Sequence, residues 1–160
     1  MLPYLDQQPR LGADVELADD AVVVGAVELA GPARLAASAV VRGDQSPIAI
    51  GPRFHLGVGS TVHVESTAGT RIGAGVWVGD HAVVHASTVG DDVRVEEGAL
   101  VLTGSTVGAG SIVAAGSLVP ENSSFPERSY ISGVPGRRLR DTTDEERSET
   151  ETRLNRALVP

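Results

Sequence analysis

Two histidines occupy matching places in matching words of this 160-residue chain: His63 closes Thr61-Val62-His63, and His85 closes Val83-Val84-His85. Arg42 stands in the same place in Val40-Val41-Arg42. A neutral imidazole nitrogen binds zinc at about 2.0–2.1 Å. Two rings held on adjacent rungs of a β ladder, about 5 Å apart, can therefore share one ion. A carboxylate at Asp80 and a further imidazole at His81 are other candidate donors. Which of these groups meet is decided by the periodicity of the chain around them.

That periodicity is six. Across residues 11–118 the sequence divides into units such as LGADVE, LADDAV, LGVGST, IGAGVW, VGDHAV, VEEGAL, VLTGST, VGAGSI and VAAGSL, each opened by an aliphatic residue and often followed by a small one. A six-residue, glycine-rich period matches neither the 3.6 nor the 3.5 repeat of helices, and fixed self-similarity over a hundred residues signals a solenoid. A period of six is that of the β-helix. Three units close a triangular coil, the opening aliphatics point inward, and Gly, Ala and Asp take the bends. The expected organisation is all-β and a single domain: an N-terminal arm over 1–10, the repeat over 11–120, a connecting segment over 121–141 and a helix over 142–158. Thr143 and Glu146 form a capping box for that helix, and Leu154 and Leu158 give it a thin apolar face.

Register places the histidines. From Val41 to Val62 is three units plus three residues inserted near DQSP (44–47), and from Val62 to Val84 is three units plus four inserted near ESTAGT (65–70). Arg42, His63 and His85 therefore fall in one column on consecutive coils. Asp80 lies one unit before His85, at another corner, too far away to join the pair within one subunit. It reaches such a site only on a neighbouring molecule, so three prisms packed side by side would bring His63 and His85 of one copy opposite Asp80 or His81 of the next. Trp77 and Phe54 suit such an interface.

Composition narrows the classes of function. A net charge of −8 with no basic stripe argues against nucleic acid and anionic membranes. There is no cysteine, which excludes disulfides and thiolate metal sites. No apolar run reaches membrane-spanning length and the first residues lack a signal pattern, so a cytoplasmic protein is expected.

The stretches VVRGDQSPIAIG, TVHV, TRIGAGVWVGDHAVVHASTVG, VGAGSIVAAGSLV and ISGVPGRRLR, with the C-terminal helix, resemble the γ-class carbonic anhydrase family of left-handed parallel β-helices over nearly the whole chain. The resemblance implies a homotrimer with metal sites between subunits, two ligands from one subunit and one from the next. Carried across, the outer ligand histidines fall on His63 and His85, and the bicarbonate-orienting Arg and Asp on Arg42 and Asp44. The middle ligand histidine falls on Asp80, with His81 one place away as its rival. A polar Gln-Asp pair of the family falls on Gly57 and Val58, and an Asn position carries His55.

Three functions follow. The first is a metal-dependent lyase whose Zn2+ or Fe2+, held by His63, Asp80 and His85, lowers the pKa of bound water towards 7. Arg42 and Asp44 would hold the small anionic or carbonyl substrate, CO2/bicarbonate or a relative. The second is a coenzyme A-dependent acyltransferase with His63 or His85 as general base. The third is a metal-free scaffold or partner protein.

Overall fold

The computed structural model describes residues 1–159 and is a left-handed parallel β-helix whose strands stack in three walls. The first wall begins with Val22–Val24 and continues through Val40–Arg42, Thr61–His63, Val83–His85, Leu100–Val101 and Leu118–Val119. Arg71 and Thr88 mark the second wall, where Thr70–Ile72 pairs with Ile48–Ile50 above and Thr88–Val89 below. The third runs from Val15–Leu17 through Phe54–Leu56, Trp77–Val78 and Arg94–Val95 to Ser129–Gly133.

Alternation within each short strand builds the core. In the first wall Val23, Val41, Val62, Val84, Val101 and Val119 point inward and are fully buried, each burial stabilising the prism by about 1.5–3 kcal/mol. Phe54 belongs to this interior. It was expected at a subunit interface, but the Phe54-His55-Leu56 strand turns its first and third residues into the core, and Phe54 is completely buried.

Bends fall in vertical columns of left-handed backbone. One corner stacks Ser38, Gly59, His81, Gly98 and Gly116, all with φ between 57° and 67°. Residues 121–141, read from sequence as a connection, carry Ser124–Phe125 and Ser129–Gly133, which continue the parallel ladders, and Gly136–Asp141, which returns antiparallel on the last coil. Leu2 of the N-terminal arm pairs beside Val24.

The helix spans Asp144–Ala157, with Thr143 as N-cap and the expected capping box to Glu146. It lies on the third wall. Leu154 and Thr150 are buried there, and Arg94 rises from the wall beneath Glu146 and Glu149 with its side chain only 4% exposed. Its guanidinium meets Glu96 at 2.9 Å, Glu149 at 3.2 Å and the Glu146 carbonyl at 3.2 Å. Arg140 donates to both carboxylate oxygens of Glu146 at 2.8 and 2.9 Å, which pulls that carboxyl down to about 2. No helix among the described residues is long and apolar enough to cross a membrane.

Candidate functional site

The register argument predicts that His63 and His85 share a column, and they are direct ladder partners in the first wall. Their ring centroids are 5.2 Å apart with planes tilted by 50°. Valines at 62 and 84 anchor both strands in the core, so the imidazoles on the outward side inherit the rigidity of the ladder. Arg42 completes the column: its Nη2 stands 2.8 Å from His63 Nε2. Asp44 Oδ1 lies 3.2 Å from the same nitrogen, and Asp44 Oδ2 lies 3.4 Å from Arg42 Nε.

These contacts constrain protons. A guanidinium only donates, so the 2.8 Å contact requires a lone pair on His63 Nε2. A neutral ring that presents this lone pair to Arg42 cannot also donate to Asp44 from the same atom, and the shorter distance favours the arginine. His63 Nε2 thus already faces a cation. His85 differs: its Nδ1 contacts Thr103 Oγ1 at 3.0 Å, and Thr103 donates in turn to Glu65 Oε1 at 2.9 Å. Nε2 is left as the free ring nitrogen. His85 thus offers a free nitrogen to a metal, whereas His63 offers one only when Arg42 releases Nε2.

Among the described residues, no three His, Cys, Asp or Glu side chains are grouped to enclose a metal. Asp80 sits at an exposed corner, where its Oδ1 accepts the Val58 N–H at 2.8 Å. Asp91 does the same for Ala74, also at 2.8 Å. In both cases a glycine on the preceding coil makes the room: a Cβ at Gly57 would come within 2.6 Å of Asp80 Oδ1, and one at Gly73 within 2.2 Å of Asp91 Oδ1. Two departures from the family pattern, Gly57 and Asp80, are thus one corner device. Asp80 Oδ2 takes no hydrogen bond among the described residues and remains available as a donor. His81 holds a left-handed turn with φ of 57° and lays its ring over Gly59, whose Cβ would lie 2.7 Å from Nδ1.

His55 is placed elsewhere. It projects from the third wall, 8% exposed, stacked on Trp77 with centroids 3.9 Å apart, and its Nδ1 has no partner. Burial pushes its pKa down to about 4, with Arg34 adding to the effect and Asp80 opposing it. The unfolded ring protonates near its ordinary 6.5 while the folded ring stays neutral to about 4. The stability that this buried neutral ring contributes is therefore complete above pH 6.5 and is lost as pH falls to 4. Urea titrations across that window are expected to show wild type losing on the order of 3 kcal/mol more than His55→Phe; equal slopes would contradict it.

Outward neighbours of the site column are apolar. Val22, Val40, Thr61, Val83, Leu100 and Leu118 stack in register along the first wall, each only partly buried. The second wall instead presents Glu28, Arg71, Thr88 and Thr106, and the helix covers the third. Sequence reasoning passed over Glu65, Thr103 and Arg94; a hydroxyl or an arginine in a turn-rich repeat carries no signal until its neighbours are known.

No protein-family model matches the chain. It is 44% identical over 136 residues to a probable carbonic anhydrase of Methanocaldococcus jannaschii, covering 85% of this chain and 86% of that protein. To the mitochondrial gamma carbonic anhydrase 2 of Arabidopsis thaliana it is 36% identical over 152 residues, covering 91% of this chain and 55% of the relative. A solved hexapeptide transferase family protein from Anaplasma phagocytophilum superposes with a TM-score of 0.92 at 27% identity, covering 98% of this chain and 93% of the other. The repeat, the paired histidines and these relatives agree: the chain belongs to the γ-class carbonic anhydrase-like family of hexapeptide-repeat β-helices.

Proposed function

We propose that this protein is a homotrimeric metalloenzyme of the carbonic anhydrase kind, acting on CO2/bicarbonate or another small carbonyl or carboxylate compound. The observation that carries this reading is the His63–His85 ladder pair at 5.2 Å, with Arg42 and Asp44 beside it. His63 and His85 of one subunit and Asp80 of the next would hold Zn2+ or Fe2+. Such an ion supplies Lewis acidity that acidifies water towards neutral pH. Arg42 offers its guanidinium to an anionic substrate or product, and Asp44 fixes the direction of that fork. Sequence groups His55 with these residues, but its buried ring, with the pKa pushed down to about 4, is a poor proton acceptor near neutral pH.

Trimer formation is supported by the apolar column beside the histidines, since the other two walls are polar or covered. Leu100→Glu puts a charge on that column without touching the core, and sedimentation is expected to show monomers with an unchanged β spectrum. A trimer that survives the substitution counts against this seam.

Metal analysis of untagged protein, paired with CO2 hydration rates, tests the function. A bound metal with hydration supports the reading. A full metal complement without hydration removes CO2 as substrate, and no metal at all removes the enzyme. A metal-free scaffold is the second reading, favoured by the Asp80 Oδ1–Val58 hydrogen bond and by Gly57. An acyltransferase role rests on the likeness of fold to hexapeptide-repeat transferase structures, and calorimetry without coenzyme A binding discards it.

A further inference from the structure

Three side chains from three successive coils form a line that ends on His85. Glu65 opens the loop over 65–70, which is closed by paired backbone bonds between Glu65 and Ala68 at 2.9 and 3.3 Å. Ser46, from the other inserted loop, donates to the Glu65 carbonyl at 2.6 Å and pins the loop base. Glu65 Oε1 then lies 2.9 Å from Thr103 Oγ1, which lies 3.0 Å from His85 Nδ1.

Proton counting gives this line a direction. An ionised carboxylate only accepts, and a hydroxyl has a single proton to give. Thr103 must therefore donate to Glu65 and accept from His85, so the proton of the neutral imidazole is on Nδ1 and the lone pair on Nε2. Ligand histidines need that arrangement, and an outer hydrogen bond to the second nitrogen is what normally enforces it. In water a neutral imidazole has no such instruction.

We infer that Glu65 and Thr103 are positioning residues that set the tautomer and ring orientation of His85 through a carboxylate–hydroxyl–imidazole relay. The inference rests on the proposed function, since its purpose is to present Nε2 to a metal, but its physical content is readable without one. Removing different members has different consequences. Thr103→Val deletes the acceptor and leaves Nδ1 without a partner. Glu65→Ala frees the Thr103 hydroxyl to donate to Nδ1 instead, which reverses the line and moves the ring proton to Nε2. Thr103→Ser keeps the relay intact.

The test is nitrogen-15 NMR of histidine-labelled, chelator-treated protein at neutral pH, with the His85 signals assigned by their loss in His85→Gln. Wild type and Thr103→Ser are expected to show a protonated Nδ1 and a bare Nε2. Glu65→Ala is expected to show the opposite tautomer, and Thr103→Val a mixture. Zinc titration of the same samples is expected to weaken by about 10–100-fold in Glu65→Ala and Thr103→Val and to hold in Thr103→Ser. A wild-type ring protonated on Nε2, or one indifferent to both substitutions, overturns the relay. The expected tautomers in a wild-type protein that takes up neither zinc nor iron(II) support the relay and overturn the proposed function instead.

Discussion

Arg94→Ala is expected to lower the unfolding free energy by about 3 kcal/mol and to release the C-terminal helix before the solenoid melts. The guanidinium is buried between the third wall and the helix, where it ties Glu96 of the wall to Glu149 and the Glu146 carbonyl of the helix. Truncation leaves a cavity under Glu146 and Glu149 and strands Glu96, three-quarters buried, without its ion-pair partner. Solenoid coils depend chiefly on their neighbours, whereas the helix depends on this anchor, Leu154 and the Arg140–Glu146 pair. Circular dichroism should lose its helical signal first, with a midpoint lowered by roughly 6–12 °C. Arg128, exposed and paired with an exposed Asp144, makes the control: its replacement should cost under about 1 kcal/mol. Concerted melting of helix and strands in Arg94→Ala, at the wild-type temperature, would refute the anchor.

A pair of inactive variants is expected to repair each other. If His63 and His85 belong to one subunit and Asp80 to the next, His85→Ala and Asp80→Ala each destroy every site in a homotrimer. Co-expressed, they assemble at random, and about one interface in four joins an intact histidine pair to an intact carboxylate. Bound metal and activity should therefore return to roughly a quarter of the wild-type level from two parents that have neither. Complementation of this kind has no explanation in a site built within one chain. Mixed trimers as empty as their parents would show that Asp80 does not act across the seam, and an Asp80→Ala parent that keeps its metal would show that its bond to Val58 is its whole purpose.

Much of this arrangement is written in the period of the chain. Because each coil is rigid and each aliphatic opening points inward, counting from Val41 to Val62 to Val84 is enough to stack Arg42, His63 and His85, and the expected 5 Å between rings is found as 5.2 Å. The capping box at Thr143 and Glu146 is equally local and equally legible. Phe54 was misjudged through its rarity in a chain nearly free of aromatics, although strand phase alone turns it inward. Thr103 escaped for a different reason. The coil after His85 is one residue short, so Val84 pairs with Val101, and Leu102, one step short of Thr103, is the residue that register would align with His85. Arg94 looks like Arg34 in sequence, since both are outward on the same wall. Only the helix, arriving fifty residues later, buries one and leaves the other at the rim. Asp80 is the instructive case, because its turn chemistry is visible in its twin Asp91 while the proposed service to a second molecule is not.

The reversal at the end of the prism carries a consequence for solubility. A stack of parallel rungs terminates in unsatisfied amides and carbonyls, an open template on which a further copy could polymerise. Here Gly136–Asp141 doubles back over Ser129–Gly133 and runs the wrong way to accept another rung in sequence, and its outer edge displays Arg137, Arg138 and Arg140. A reversed last strand does not template another parallel rung, so the molecule is protected against fibril growth along its axis and left free to associate sideways.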